Sequence, residues 1–171
     1  VYACAARDIH TVYVFNHSDR DLTDYLERLK KAIDKEDVKV VQCKAVEELV
    51  RNSDIICTTT PSTTPVLPDD KELLRGKCSY MPEMREIPDA VLDLVDNVYI
   101  ELPYACEESG DLSQPLASGK LTKDRIKLMH EYLISGEKEI KEGQTTYFKS
   151  VGMGLFDVCI AQKLYEVAKE K

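Results

Sequence analysis

The chain has 171 residues, 43% of them hydrophobic and 32% charged, enough apolar material for one soluble globular domain with a sizeable core. Its 23 basic residues are outnumbered by 31 acidic ones, a net charge of −8, which argues against a nucleic-acid or anionic-membrane surface. No stretch is apolar for long enough to cross a bilayer and no signal-peptide pattern is read at the start, so the expected location is cytoplasmic.

Thr11-Val12-Tyr13-Val14-Phe15 is a β-branched and aromatic run that predicts a buried strand. Leu22, Tyr25, Leu26, Leu29 and Ile33 then recur at three- and four-residue spacing, one face of a helix. Val38 to Val41 reads as a second strand, Val46, Leu49 and Val50 as one or two helical turns, and Asp54 to Thr58 as a third strand. This alternation predicts an α/β fold, a doubly wound, mainly parallel sheet with helices on both faces. Ile87-Pro88-Asp89 starts another helix, buried through Val91, Leu92, Leu94 and Val95, and Asn97 to Leu102 is a further strand. Thr122 is expected to cap a helix with Ile126, Met129 and Leu133 on its apolar face and Gly136 as its stop. Tyr147-Phe148 belongs to a short apolar segment, and a last helix from about Met153 is expected to bury Leu155, Val158, Leu164 and Val167.

The third strand opens into "TTTPSTTP", where a plain surface turn would prefer Gly, Asn or Asp. Hydroxyls at the carboxyl end of a strand suggest a polar ligand lying across that end. The six cysteines show no C-x-x-C spacing and the three histidines have no partner at metal-ligand spacing; reduced, mostly buried thiols are expected, with no metal site. A dinucleotide-binding sheet normally opens with a strand and a G-x-G-x-x-G turn. Here Val1 to Ala6 reads as the tail of a helix and no glycine precedes Gly76, so either this is not a dinucleotide fold or that strand and its phosphate loop lie outside the given residues.

Four segments, in order, resemble the ornithine cyclodeaminase/mu-crystallin family: "SDIICTTTPSTTPVL", "SYMPEMREIPDAVL", "EESGDLSQPLASGKL" and "TTYFKSVGMGLFDVCIAQKLYEVAKEK". The resemblance implies a partial NAD(P)-binding Rossmann domain over 1–152. It also implies a C-terminal helix, 153–171, that packs towards a substrate and dimerisation domain. Implied activities are reduction of cyclic imino acids or ketimines such as pyrroline-2-carboxylate, ornithine cyclodeamination, or alanine-type amino-acid dehydrogenation. A non-catalytic NADPH-binding role of the mu-crystallin type is the alternative to an enzyme. The implied partner is a small imino or amino acid, with a homodimer formed through the N-terminal domain.

In such a domain Asn16, His17 and Ser18 follow the strand whose tip reads the adenosine ribose. An acidic residue there favours NAD, but nothing acidic comes before Asp19, and with Arg20 nearby the expected cofactor is NADP(H) rather than NAD(H). Asn16-His17-Ser18-Asp19 also reads as a cap on the next helix, and both roles can hold at once. Thr58, Thr59, Thr60 and Pro61 are expected at the riboses, and Ser79 is expected beside the cofactor. Ser150, Val151 and Gly152 have backbone N–H groups suited to the nicotinamide ribose or carboxamide. Tyr80 stands where ornithine cyclodeaminases carry an aspartate. A phenol, with an ordinary pKa of about 10, is a poor base but can donate a proton, which suits imine reduction; packing against the cofactor is the other reading. Glu107, Glu108 and Asp111 offer catalytic carboxylates, but a structural or capping role around Gly110 is the expected one. "GKCSYMPEM" is short against the family pattern. Residues are expected to be absent beside Cys78, the alternative being the loss of an apolar strand.

Overall fold

The computed structural model describes residues 1–18, 20–81, 85–136, 141 and 143–169, the side chains of Tyr2, Tyr80 and Met81 excepted. It comprises two compact units, Val1–Ser53 and Asp54–Lys171.

In the first unit, α1 (Tyr2–Ala6) leads to β1 (Thr11–Val14), α2 (Thr23–Ile33), β2 (Lys39–Gln42) and α3 (Val46–Asn52). The two strands pair in parallel from Thr11↔Lys39 to Val14↔Gln42. A parallel pair needs a crossover, and α2 supplies it. Of the residues read at three- and four-residue spacing, Leu22 and Ile33 are buried and Leu26 and Leu29 partly so, while Tyr25 is exposed. Ile33 is buried with Cys4 and Val38, and Leu29, Ile9, Val12 and Val40 pack against them. Asp34 ends α2 at φ 52, with its N–H donating to the Lys30 carbonyl; a short polar side chain tolerates this left-handed conformation.

The second unit contains β3 (Ile55–Cys57), α4 (Lys71–Leu74), β4 (Cys78–Met81), α5 (Asp89–Leu94), β5 (Val98–Ile100), α6 (Ala105–Glu108), α7 (Gly110–Ser118), β6 (Ile126–Leu128), α8 (Met129–Ser135), β7 (Thr146–Lys149) and α9 (Gly154–Lys169). Its five-stranded sheet runs β3-β4-β7-β5-β6, and every pairing is parallel. Ile56, Leu74, Ile87, Leu92, Ile100, Leu112 and Leu121 are buried in its core. All three residues of β5 are buried, as expected of a strand covered on both faces.

Several expectations are corrected. The helix read from Thr122 is a single 3-10 turn, Lys123–Arg125, followed by β6 and only then by α8. Ile126 and Leu128 alternate as a strand does, and β5 offers them a partner edge. Gly136 does end α8, at φ 67. At "GKCSYMP", where residues were expected to be absent, Cys78–Met81 itself forms a strand, in unbroken register with β3 on one side and β7 on the other. Only Cys4 and Cys43 of the cysteines are buried; Cys57, Cys78 and Cys159 are exposed. The last helix buries none of Leu155, Val158, Leu164 and Val167, all of which are exposed. No helix among the described residues is long and apolar enough to cross a membrane.

Candidate functional site

In a parallel sheet every strand ends on the same edge, and ligands of open α/β sheets lie outside that carboxyl edge. At this edge of the second unit, two buried carboxylates each hold a turn.

The first is Glu86, fully buried. Its Oε2 accepts the Thr58 hydroxyl at 2.5 Å, and its Oε1 accepts the Thr60 N–H and the Thr60 hydroxyl, both at 2.7 Å. Hydrogen bonds to an ionised acceptor are short and strong, so the loop after β3 is fixed from inside. Thr59 and Pro61 of that loop are exposed. Glu86 is held in turn: its N–H and that of Ile87 donate to Asp111 Oδ1 at 2.8 and 3.0 Å. Asp111 Oδ2 faces Lys149 Nζ at 2.9 Å, with both side chains at 0% exposure. A continuous polar chain thus links the β3 loop to the last residue of β7. The buried Tyr147 hydroxyl lies beside Asp111. Burial, followed by the nearby Asp111 and Glu86 charges, pushes it well above the usual tyrosine range, so it stays a neutral phenol.

The second carboxylate is Glu101, just past β5. Its Oε1 accepts the Ser150 hydroxyl at 2.5 Å, the Val151 N–H at 2.7 Å and the Gly152 N–H at 2.9 Å. Gly152 closes this turn at φ 79, where any side chain would be strained. Of the N–H groups expected to face a ligand, those of Val151 and Gly152 are therefore already used within the protein. Glu101 Oε2 is buried and has no partner among the described residues.

In the first unit, a cleft of about 500 Å³ lies at the carboxyl ends of β1 and β2, lined by Phe15, Asn16, Ser18, Arg20, Gln42, Cys43 and Lys44. The Asn16 Nδ2 donates to the Ser18 hydroxyl at 3.0 Å. The N-cap of α2 is Leu22, and just before it the Asp21 carboxylate accepts the N–H and hydroxyl of Thr23, the first residue of the helix. Those two bonds hold the Asp21 carboxyl below the usual range. Asn16 and Ser18 are thus left to the cleft. Burial, then the Glu48 charge, pushes the Cys43 thiol up, so it lines the cleft as a neutral group. His17 is exposed and does not line it. Asp19 lies outside the described residues.

The structure brings Asn16, Ser18 and Arg20 together and adds Lys44 and Gln42. It sets Ser79 apart: that residue is the second of β4, opposite Ile56 and Tyr147, and is buried at 1% exposure. The Tyr80 backbone lies opposite Cys57 and Phe148; its side chain lies outside the described residues. Asp111 proves structural, as read. Glu86, Glu101 and Lys44 were not singled out. For Glu86 the signal was a carboxylate placed directly before the apolar Ile87-Pro88.

A parallel α/β sheet with hydroxyl-rich, clamped turns at its carboxyl edge defines a Rossmann-type domain. The chain matches the Ornithine cyclodeaminase/mu-crystallin family over residues 2–171, and it belongs to that family. It is 32% identical over 173 residues to a Delta(1)-pyrroline-2-carboxylate reductase of Bacillus cereus, covering 98% of this chain and 52% of that protein. It is 31% identical over 134 residues to Ketimine reductase mu-crystallin of Mus musculus, covering 76% and 40%. Among solved structures it resembles the Thermococcus litoralis Delta(1)-pyrroline-2-carboxylate reductase in complex with NADH and L-proline, with TM-score 0.85 and 21% identity over 98% of this chain and 53% of that one. A probable ornithine cyclodeaminase from Bordetella pertussis Tohama I aligns with TM-score 0.80 and 24% identity over 98% and 54%. The chain spans about half the length of these relatives.

Proposed function

We propose that this protein reduces cyclic imino acids (ketimines) such as pyrroline-2-carboxylate, using NADPH in preference to NADH. The observation that carries this reading is its 31–32% identity, over nearly the whole chain, to pyrroline-2-carboxylate reductases of Bacillus. The residues present fit a nicotinamide dinucleotide: the first unit's cleft offers the amide of Asn16, the hydroxyl of Ser18 and the cations Arg20 and Lys44, with no carboxylate among the described residues of its lining. Bound there, the cofactor supplies the hydride. The chain's own part is to hold the adenosine end in that cleft and to present the Thr58–Pro61 loop from its Glu86 clamp. Tyr80 gives a proton to the imine nitrogen, as a phenol that keeps its proton at neutral pH can. Tyrosine in place of the aspartate of the cyclodeaminase motif disfavours the lyase reading.

The test is an assay of the full-length protein. Oxidation of NADPH dependent on pyrroline-2-carboxylate is expected. Formation of proline and ammonia from ornithine with catalytic NAD would make it a lyase, and NADPH binding without turnover would make it a binding protein. The cofactor preference has its own expected result: Asn16→Asp reverses it, because the new carboxylate repels a 2′-phosphate and accepts from a 2′-hydroxyl. A shift of about tenfold or more in the NADPH:NADH affinity ratio is expected, equivalent to about 1.4 kcal/mol. A ratio unchanged from wild type would remove Asn16 from the ribose site.

The exposed apolar side chains of α9, among them Leu155, Phe156, Ile160 and Leu164, support a packing role for this helix against a substrate and dimerisation domain. Light scattering of the full-length protein is expected to give twice the single-chain mass, and a monomer would count against the dimer.

A further inference from the structure

The cleft of the first unit is built from two strand tips, and the register shows what each contributes. The last pair of the parallel ladder is Val14↔Gln42, and the Cys43 N–H still donates to the Val14 carbonyl at 2.8 Å. Two residues beyond that pair stand Asn16 on one strand and Lys44 on the other, on chains that leave the sheet about 4.8 Å apart. Both line the cleft, as do Ser18 and Arg20.

Lys44 is held by its backbone and not by its side chain. Its N–H donates at 2.8 Å to Oε2 of Glu48, in the first turn of α3. Its ammonium has no hydrogen bond or ion pair among the described residues, and the residue is exposed. A lysine is a point charge on a flexible stem, so from this fixed base it reaches over the cleft towards Asn16 and Ser18. Arg20 brings a second cation from the other tip. In a chain of net charge −8, a cleft with two cations and no carboxylate among its described lining selects an anion. The charge that separates NADPH from NADH is a phosphate on the ribose 2′ position, about −1.5 to −2 at neutral pH for such a monoester.

We infer that Lys44 is a specificity-determining residue: its ammonium pairs with the 2′-phosphate, so that NADPH is read from both strand tips and not from the Asn16–Arg20 segment alone. This rests on the reading of the cleft as the adenosine end of an NADP(H) site. Lys44 follows β2, whereas the ribose-reading position of a dinucleotide fold belongs to the tip of β1.

Adenosine 2′,5′-bisphosphate and AMP test it, because they differ only in the 2′-phosphate. Calorimetric titration of the full-length protein is expected to show the bisphosphate bound about 100-fold tighter, two charge-assisted contacts of about tenfold each. Lys44→Met keeps the stem and removes the charge. It is expected to weaken the bisphosphate about tenfold and AMP by less than about twofold. Lys44→Gln is expected to do the same, so the proposal stays testable if one variant fails to fold. Added salt is expected to erode the wild-type preference more steeply than that of Lys44→Met, since the contact removed is electrostatic. An undiminished preference in either variant, or equal weakening of both ligands, would overturn the inference while leaving the NADP(H) reading intact. A wild-type protein that binds both ligands equally would overturn that reading as well.

Discussion

Lys149→Met is expected to lower the unfolding free energy by about 3–5 kcal/mol, the usual cost of leaving one member of a buried ion pair alone. The chain of reasons is local. Asp111 and Lys149 face each other at 2.9 Å with both side chains wholly buried. Asp111 Oδ1 is committed to the N–H groups of Glu86 and Ile87, so the carboxylate cannot turn outward without dropping both. Methionine fills the lysine's space and supplies no charge. The double variant Lys149→Met, Asp111→Asn is expected to recover more than half of the loss, because the asparagine carbonyl keeps the two backbone bonds and the orphaned charge is gone. Urea unfolding of the three proteins checks this through their midpoints. A single-variant loss below about 1 kcal/mol, the range of an exposed pair, would mean that the ion pair is not sealed from water.

The second large effect is expected on binding. Glu86→Gln is nearly isosteric, but it removes the charge and turns an amide NH₂ towards either Thr58 or Thr60. Hydrogen bonds to charged groups are worth about 1.5–3 kcal/mol against about 0.5–1.5 for neutral ones. The clamp on the β3 loop should loosen by roughly 1–2 kcal/mol, and nucleotide affinity should fall about tenfold. Glu86→Ala, which releases all three donors, is expected to weaken binding about 100-fold, two such steps. Fluorescence titration with NADPH measures both, with far-UV circular dichroism to confirm that the variants are folded. Wild-type affinity in Glu86→Gln would show that the loop reaches its ligand-ready shape without this carboxylate.

Much of the first unit was legible because its signals are local. Leu26, Leu29 and Ile33 state a helix by spacing alone, and Thr11 to Val14 states a strand by composition. The second unit was legible where runs were long, and misread where they were short. Ile126 pairs with Met129 in helical spacing and with Leu128 in strand spacing, and three residues cannot decide between them; the free edge of β5 does. Cys78–Met81 lacks the β-branched content that marks a buried strand and becomes one because β3 and β7 flank it. The clamps were out of reach for a different reason. Thr58 meets Glu86 across 28 residues, Asp111 meets Lys149 across 38 and Glu101 meets Ser150 across 49. No window along the chain contains both partners of such a contact. The exposed face of α9 is the reverse case, since apolar periodicity states that a helix will be covered without stating by what.

The place of β7 in the sheet also sets the order in which the second unit can be completed. The strand made last, Thr146–Lys149, sits between β4 and β5. As the chain leaves the ribosome, β3 with β4 and β5 with β6 can each form a two-stranded ribbon, but neither ribbon can join the other. Each holds an open inner edge, the kind of surface that pairs with the wrong chain. Contacts over such separations also form slowly, so the vulnerable interval is long and is the stage at which aggregation competes. Lys149 arrives on the same strand. Until then Asp111 lacks its cation, so shape and charge are completed together in one late step.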